Sequence, residues 1–273
     1  MEPINIFLFK SAGNTENFGE YLCKKVITAM GYTMNNYSNV RPPDKPLDYI
    51  MTGVGGFLNN NIYTLYKLNN AKKWYVWGSG VECEPVKGQE LPMDVLKDKC
   101  IISMLRGPMT KEFYDIKENI LIGDPGFLAS YFFKFPEEEK KKVFIEFYYD
   151  NAKRKLIDTD INISSLLQPP VDVNFMSVLK AISNASIVVT GSMHIMIAAH
   201  SYGVPWAPAY KEHTNLIDEW KWHDITSSIG LDPSDLKLCN SAAEGLEWWD
   251  SVKDKIKPIT VDYQEQIIKA FPF

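Results

Sequence analysis

Four times along this 273-residue chain a short apolar run breaks off into a loop of small or polar residues, and that recurrence narrows the folds open to it. Ile4 to Phe9 runs into Lys10, Ser11, Ala12, Gly13 and Asn14, and Trp74 to Trp77 runs into Gly78, Ser79 and Gly80. Cys100 to Leu105 meets Arg106, Gly107 and Pro108, while Ser186 to Val189 meets Thr190, Gly191 and Ser192. Helical spacing follows three of these loops: Phe18 to Met30 through Phe18, Leu22, Val26 and Met30, then Met109 to Tyr114, then Met193 to Tyr202, which Gly203 closes. Buried strands that feed loops and then helices predict an α/β protein with parallel strands covered by helices on both faces.

The chain is long enough for one large core or two ordinary ones. Charged Pro136 to Lys142 precedes a fresh apolar run, Val143 to Phe147, so a lobe boundary is expected near Ala129 to Lys142, with lobes over 1–135 and 136–273. In the second lobe Asp172 is expected to cap a helix over Val173 to Ser183, and Val204, Pro205 and Trp206 begin an extended segment. Ala242 to Val252 and Tyr263 to Ala270 are further expected helices.

A formal net charge of −5 from 29 basic and 34 acidic residues argues against nucleic acid as a partner, since such a surface repels a polyanion. Lys140, Lys141 and Lys142 follow Glu137, Glu138 and Glu139, which reads as a solvated helix or linker and not as a binding patch. The four cysteines lie far apart with neither metal-ligand nor disulfide spacing, which suits a reducing compartment. No signal peptide is apparent at the first residues, and no apolar segment approaches membrane-spanning length. A cytoplasmic protein with at most peripheral contact at the inner face of a membrane is expected. No metal site is expected either.

Open α/β sheets bind ligands where loops gather at the carboxyl ends of their strands. Here those loops are Ser11 to Asn17, Gly78 to Glu82, Arg106 to Pro108, and Thr190 to His194. The last points backbone N–H groups and a hydroxyl at one spot on a helix N-terminus, with His194 in the first turn, a natural anion site. His200 lies six residues farther along the same helix, about 600° of rotation, and reads as structural.

The run Asn184 to His194, with Ile195 to Ala199, Gly203, Val204, Pro205 and Lys211 after it, resembles the C-terminal signature of the polysaccharide pyruvyl transferase family. Asn17, Phe18, Gly19 and Glu20 are similar to that family's Asn-x-Gly-Asp loop, Gly78 to Gly80 to its central glycine turn, and Arg106 to Thr110 and Gly123 to Pro125 to its middle motifs. The resemblance spans about Ile4 to Ile225. It departs from the family in two places: Ser192 stands where several members carry arginine, and Glu20 where they carry aspartate.

The resemblance implies two Rossmann-like lobes facing each other across a cleft, as in GT-B glycosyltransferases, with a final helix over 262–271 crossing back to the first lobe. It implies no cofactor: phosphoenolpyruvate is the donor, and its pyruvyl carbons bridge two hydroxyls of a hexose-containing, lipid-linked glycan as a cyclic ketal during capsule or exopolysaccharide assembly. Arg106, Gly191, Ser192, Met193, His194 and Lys211 would hold the donor, Lys211 substituting for the missing arginine. His194 would act as the acid or stabilise the phosphate, with Arg106 beside it and Asp124 or Glu82 as base. Asn14, Asn17, Glu20, Gly78, Ser79, Glu82, Trp206, Tyr210 and His213 are the acceptor-side candidates. Two alternatives remain at this stage, a glycosyltransferase using a nucleotide sugar and a non-catalytic scaffold of the polysaccharide machinery. Ser192 is the sequence feature that favours the scaffold.

Overall fold

The computed structural model describes residues 2–10, 15–82, 90–146, 158–209 and 219–273. Asn14, Tyr210, Lys211 and His213 lie outside the described residues. The first apolar runs pack as alternation dictates: Ile4 and Ile6 point to one face of their strand and Phe7 to the other, and Trp77 likewise opposes Trp74 and Val76. Among the described residues seven strands lie in this half of the chain: β1 (Ile4–Phe7), β2 (Glu16–Asn17), β3 (Met34–Tyr37), β4 (Leu47–Thr52), β5 (Ala71–Trp77), β6 (Cys100–Leu105) and β7 (Leu121–Ile122). All but β2 form one parallel sheet in the order β3-β1-β4-β5-β6-β7. Between them run α1 (Phe18–Ala29), α2 (Asn60–Leu65), α3 (Met93–Asp98) and α4 (Pro108–Phe113).

After α5 (Ala129–Phe132) the chain builds a second parallel sheet from β8 (Lys141–Glu146), β9 (Ile161–Ser164), β11 (Ala185–Thr190) and β12 (Trp206–Pro208), in the order β12-β11-β8-β9. The intervening two-residue β10 (Leu166–Leu167) pairs antiparallel with β2 and ties the two halves together beside α1. Helices α6 (Val171–Ser183), α7 (Met193–Ser201), α8 (Glu219–Ser228) and α9 (Ala242–Val252) complete this half, and α10 (Val261–Lys269) ends it. Lys141 and Lys142 thus open a strand, where a helix or linker was expected, and Asp172 sits in the first turn of α6 while Pro170 holds the cap position.

One apolar core joins the facing surfaces of both sheets through α1, α6 and α7, and a second covers the far face of the first sheet. The last helix returns to the first lobe. Gln264 donates to the Phe127 carbonyl (2.7 Å), Tyr263 donates to the Ile122 carbonyl, and Trp77 donates to the Ile267 carbonyl (3.0 Å). Two Rossmann-like lobes facing each other across a cleft, with this returning helix, are the architecture of the chain.

Candidate active site

Both lobes converge on a cavity of about 250 Å³. Asn17, whose side chain accepts the Gly19 N–H at 2.8 Å and so caps α1, lines it with Glu20 from the first turn of that helix. Ser192, Met193 and His194 enter from the N-terminus of α7, Glu82 and Arg106 from the loops after β5 and β6, and Lys221 from α8. Phe9, Phe57, Ile62 and Tyr66 give the cavity an apolar lining as well, with Tyr66 stacked on Phe7 at 5.5 Å between ring centroids.

His194 is 9% exposed, with Nε2 at 3.9 Å from Asp124 Oδ2 and Nδ1 turned toward α1. Only glycine at position 19 permits that placement, since a Cβ there would lie 2.0 Å from Nδ1. Ser192 donates its N–H to Thr190 Oγ1 (2.9 Å), and its side chain makes no capping bond, so the first turn of α7 meets the cavity uncapped. Asp124 is fully buried: Oδ1 accepts the Gly126 N–H at 2.7 Å, and Oδ2 makes no hydrogen bond to any described residue. The same holds for Glu20 Oε2, His194 Nε2 and Arg106 Nη1. Glu20, His194 and Arg106 line the cavity, whereas Asp124 does not and stands 3.9 Å from His194; three buried polar atoms without partners on one cavity mark a place built for a polar ligand.

Burial sets the protonation states here. It raises the Glu20 carboxyl to about 8, with Glu82 adding to the effect, and raises Asp124 to about 7 against the Gly126 N–H and Arg106. It lowers His194 to about 3, helped by the positive charges of Lys221 and Arg106, so the imidazole is neutral at neutral pH. Glu82 differs: burial raises it, yet Lys221 and then Arg106 outweigh that and hold it below the usual carboxylate range. A carboxyl whose pKa rises on folding contributes stability that is complete at low pH and is lost as pH rises through its folded value. For Glu20 that loss falls between its ordinary value of 4.5 and about 8. Glu20→Gln, which keeps the neutral shape, is therefore expected to lose less melting temperature than the wild type between about pH 5 and about pH 9. Equal losses in the two proteins would contradict a buried neutral Glu20.

The structure redistributes several expected roles. Arg106 is not a cation waiting in an open cleft: it is fully buried, donates Nε to Asp224 Oδ2 at 3.1 Å and Nη2 to the Val81 carbonyl, and turns only Nη1 to other use. Asp224 also receives the Thr110 N–H (2.9 Å) and hydroxyl (2.7 Å), which fastens α8 to the first turn of α4. Gly107 makes the contact possible, because a Cβ there would meet Asp224 at 2.1 to 2.4 Å.

Gly78 and Ser79 do not reach the cavity. Gly78 turns at a φ of 98° against Pro125, and Ser79 is buried with its hydroxyl on the Val54 carbonyl. Trp206 is buried too, among Trp222, Trp248 and Trp249, with its N–H directed at His200 Nδ1 (3.4 Å), because β12 lies under α9. His200 is buried and does not line the cavity, its Nε2 at 2.9 Å from the Lys257 carbonyl. Gly191 makes the turn into α7 without lining the cavity. Sequence reasoning missed Lys221, Asp224, Phe9 and Tyr66. Among the described residues no group of three or more His, Cys, Asp or Glu is arranged to hold a metal ion.

Comparison with curated proteins finds no match. Among solved structures, a functionally uncharacterised protein from Klebsiella pneumoniae is similar at 15% identity and a TM-score of 0.47, covering 77% of this chain and 85% of that one. The calicheamicin glycosyltransferase CalG4 is similar at 13% identity and a TM-score of 0.47, covering 98% and 95%. Neither likeness is close enough to bear on function. The family model for polysaccharide pyruvyl transferases matches residues 10–210, which takes in α1, both mid-chain loops and the His194 turn, and the chain accordingly belongs to the polysaccharide pyruvyl transferase family.

Proposed function

We propose that this transferase takes its pyruvyl group from phosphoenolpyruvate and closes it as a cyclic ketal on two hydroxyls of a hexose in a lipid-linked glycan, in the cytoplasm, during capsule or exopolysaccharide assembly. The observation that carries the reading is the pairing, across 3.9 Å, of a neutral histidine at an uncapped helix N-terminus with a carboxyl that holds a proton near neutrality. No described helix is long and apolar enough to cross a membrane, so a lipid-linked acceptor would be met at the membrane surface.

The chemistry consumes one proton at the methylene carbon and releases two from the acceptor hydroxyls, one of which balances the first while the other leaves with phosphate. Protonation of the methylene turns C2 into an oxocarbenium-like centre. One sugar oxygen adds there, the C2–O bond to phosphate breaks, and the second oxygen closes the ring. Glu20, raised to about 8, lines the cavity and is the group able to hold the first proton, with Asp124, raised to about 7, outside the lining and 3.9 Å from His194 Nε2. Of the two roles expected of His194, a hydrogen bond to the leaving phosphate suits the neutral imidazole better than the acid role. Glu82, ionised and with its side chain 42% exposed, is placed to accept a hydroxyl proton. Phe9 and Tyr66 offer the apolar face on which a sugar ring can lie.

A cavity of about 250 Å³ is large enough for a small phosphorylated acid. The test is incubation with phosphoenolpyruvate and a panel of hexose-terminated lipid acceptors, with and without EDTA, reading phosphate release and pyruvyl mass gain. Both signals are expected and both should survive the chelator. Turnover of a nucleotide sugar in place of phosphoenolpyruvate would overturn the reading, and loss with EDTA restored by a divalent ion would overturn metal independence.

A further inference from the structure

A donor carrying a phosphate and a carboxylate brings at least two negative charges into a cavity whose own acids already include Glu82 in ionised form. The charge must be met by cations, and two described ones line the cavity, Arg106 and Lys221. Arg106 is committed: fully buried, it is spent on Asp224 and the Val81 carbonyl. Lys221 is held differently. Its Nζ donates to Glu82 Oε1 at 3.1 Å, and although the lysine side chain is only 14% exposed, its carboxylate partner is 42% exposed. The exposed side of the carboxylate lets water take over from the lysine when a phosphoryl group, with its three strong acceptor oxygens, enters the same cavity.

The fold aims this lysine. Asp224 lies three residues after Lys221 on α8, one turn along the same side of the helix. It is pinned to Arg106 and to Thr110, so the rotation of α8 is fixed by three hydrogen bonds to the first lobe. Glu82 is seated as tightly, since a Cβ on Gly56 would lie 2.0 Å from its Oε2.

From this placement, and building on the donor reading above, we infer that Lys221 is the cation that grips the donor's anionic end, and that it leaves Glu82 to do so. Donor binding thereby exchanges one ion pair for another and leaves the Glu82 carboxylate without its counter-ion, at the moment the acceptor hydroxyl needs a base. The direction of the Glu82 shift agrees, because Lys221 is the first of the charges that hold it low. A donor-first order of binding follows.

Calorimetry on the full chain tests this, with phosphoenolpyruvate and inorganic phosphate as the two probes. Lys221→Met keeps the stem and removes the charge, and should weaken binding about 10- to 100-fold, the loss of one charge-assisted hydrogen bond, while Lys221→Arg restores most of it. Glu82→Gln should bind either probe more tightly than the wild type, since the lysine has lost a charged competitor, yet turn over at least about 10²-fold more slowly. Unaltered melting of Lys221→Met would show that its loss is one of contact and not of folding. Wild-type affinity in Lys221→Met, or weakened binding in Glu82→Gln, would overturn the inference. Phosphate binding that depends on Lys221 without any binding of phosphoenolpyruvate would support the anion site and refute the donor reading, so the two can fail separately.

Discussion

His194→Asn is expected to remain folded and to turn over about 10²- to 10⁴-fold more slowly per folded molecule, the usual cost of losing one positioned proton-transfer group or transition-state hydrogen bond. The imidazole sits where the uncapped N-terminus of α7 meets the cavity, and its Nε2 has no partner among the described residues. Its burial lowers it to about 3, so the group that meets the donor is neutral, and an approaching dianion would favour its protonation. Asparagine preserves a donor but neither the reach nor the ability to gain charge. His200→Asn provides the contrast: that ring bridges the Lys257 carbonyl and the Trp206 N–H, so its loss should cost about 1–3 kcal/mol of stability and leave the folded fraction active. Activity assays normalised to folded protein, with thermal melts of both variants, separate the cases. Near-normal turnover in folded His194→Asn would remove the centre of the mechanism.

Asp224→Ala should cost about 3–5 kcal/mol of stability by urea denaturation. Arg106 and Asp224 are both fully buried, and the carboxylate takes the Arg106 Nε–H and both donors of Thr110. Removing it strands a guanidinium that can neither reach water nor lose its proton. Arg106→Lys should also destabilise, because one ammonium cannot span Asp224 and the Val81 carbonyl in the geometry of the planar fork. Replacing both partners by apolar residues should cost less than the sum of the single changes, the mark of a coupled pair. A loss below about 1 kcal/mol in Asp224→Ala would mean that water reaches Arg106.

The reading of the sequence succeeded where a local pattern reported the structure. Cys100–Leu105 and Ala242–Val252 begin and end as their apolar spacing indicates, and the helix after Thr190, Gly191 and Ser192 starts at Met193. It failed where burial was polar or partners were distant. Helix α8 was invisible because its buried face includes Asp224 and Thr226, and the residue that makes burying Asp224 tolerable lies 118 positions away. Lys221 was lost with that helix. Strand β4 was missed because prolines at 42, 43 and 46 crowd its start and Asp48 interrupts its apolar run. Trp206, an acceptor-side candidate in the sequence, is core because α9 lies over β12. Which aromatics face the cavity depends on how the two sheets stack, and no spacing rule within one strand encodes that.

The central claim, that the donor's methylene takes up a proton before the sugar oxygens close on C2, is tested most directly by running the reaction in deuterium oxide and analysing the product by mass spectrometry and proton NMR. One deuterium in the methyl group of a cyclic ketal, formed together with one phosphate, is the predicted result. An acceptor carrying an unsaturated enol ether, or an acceptor left unmodified while phosphoenolpyruvate stays intact, would contradict it.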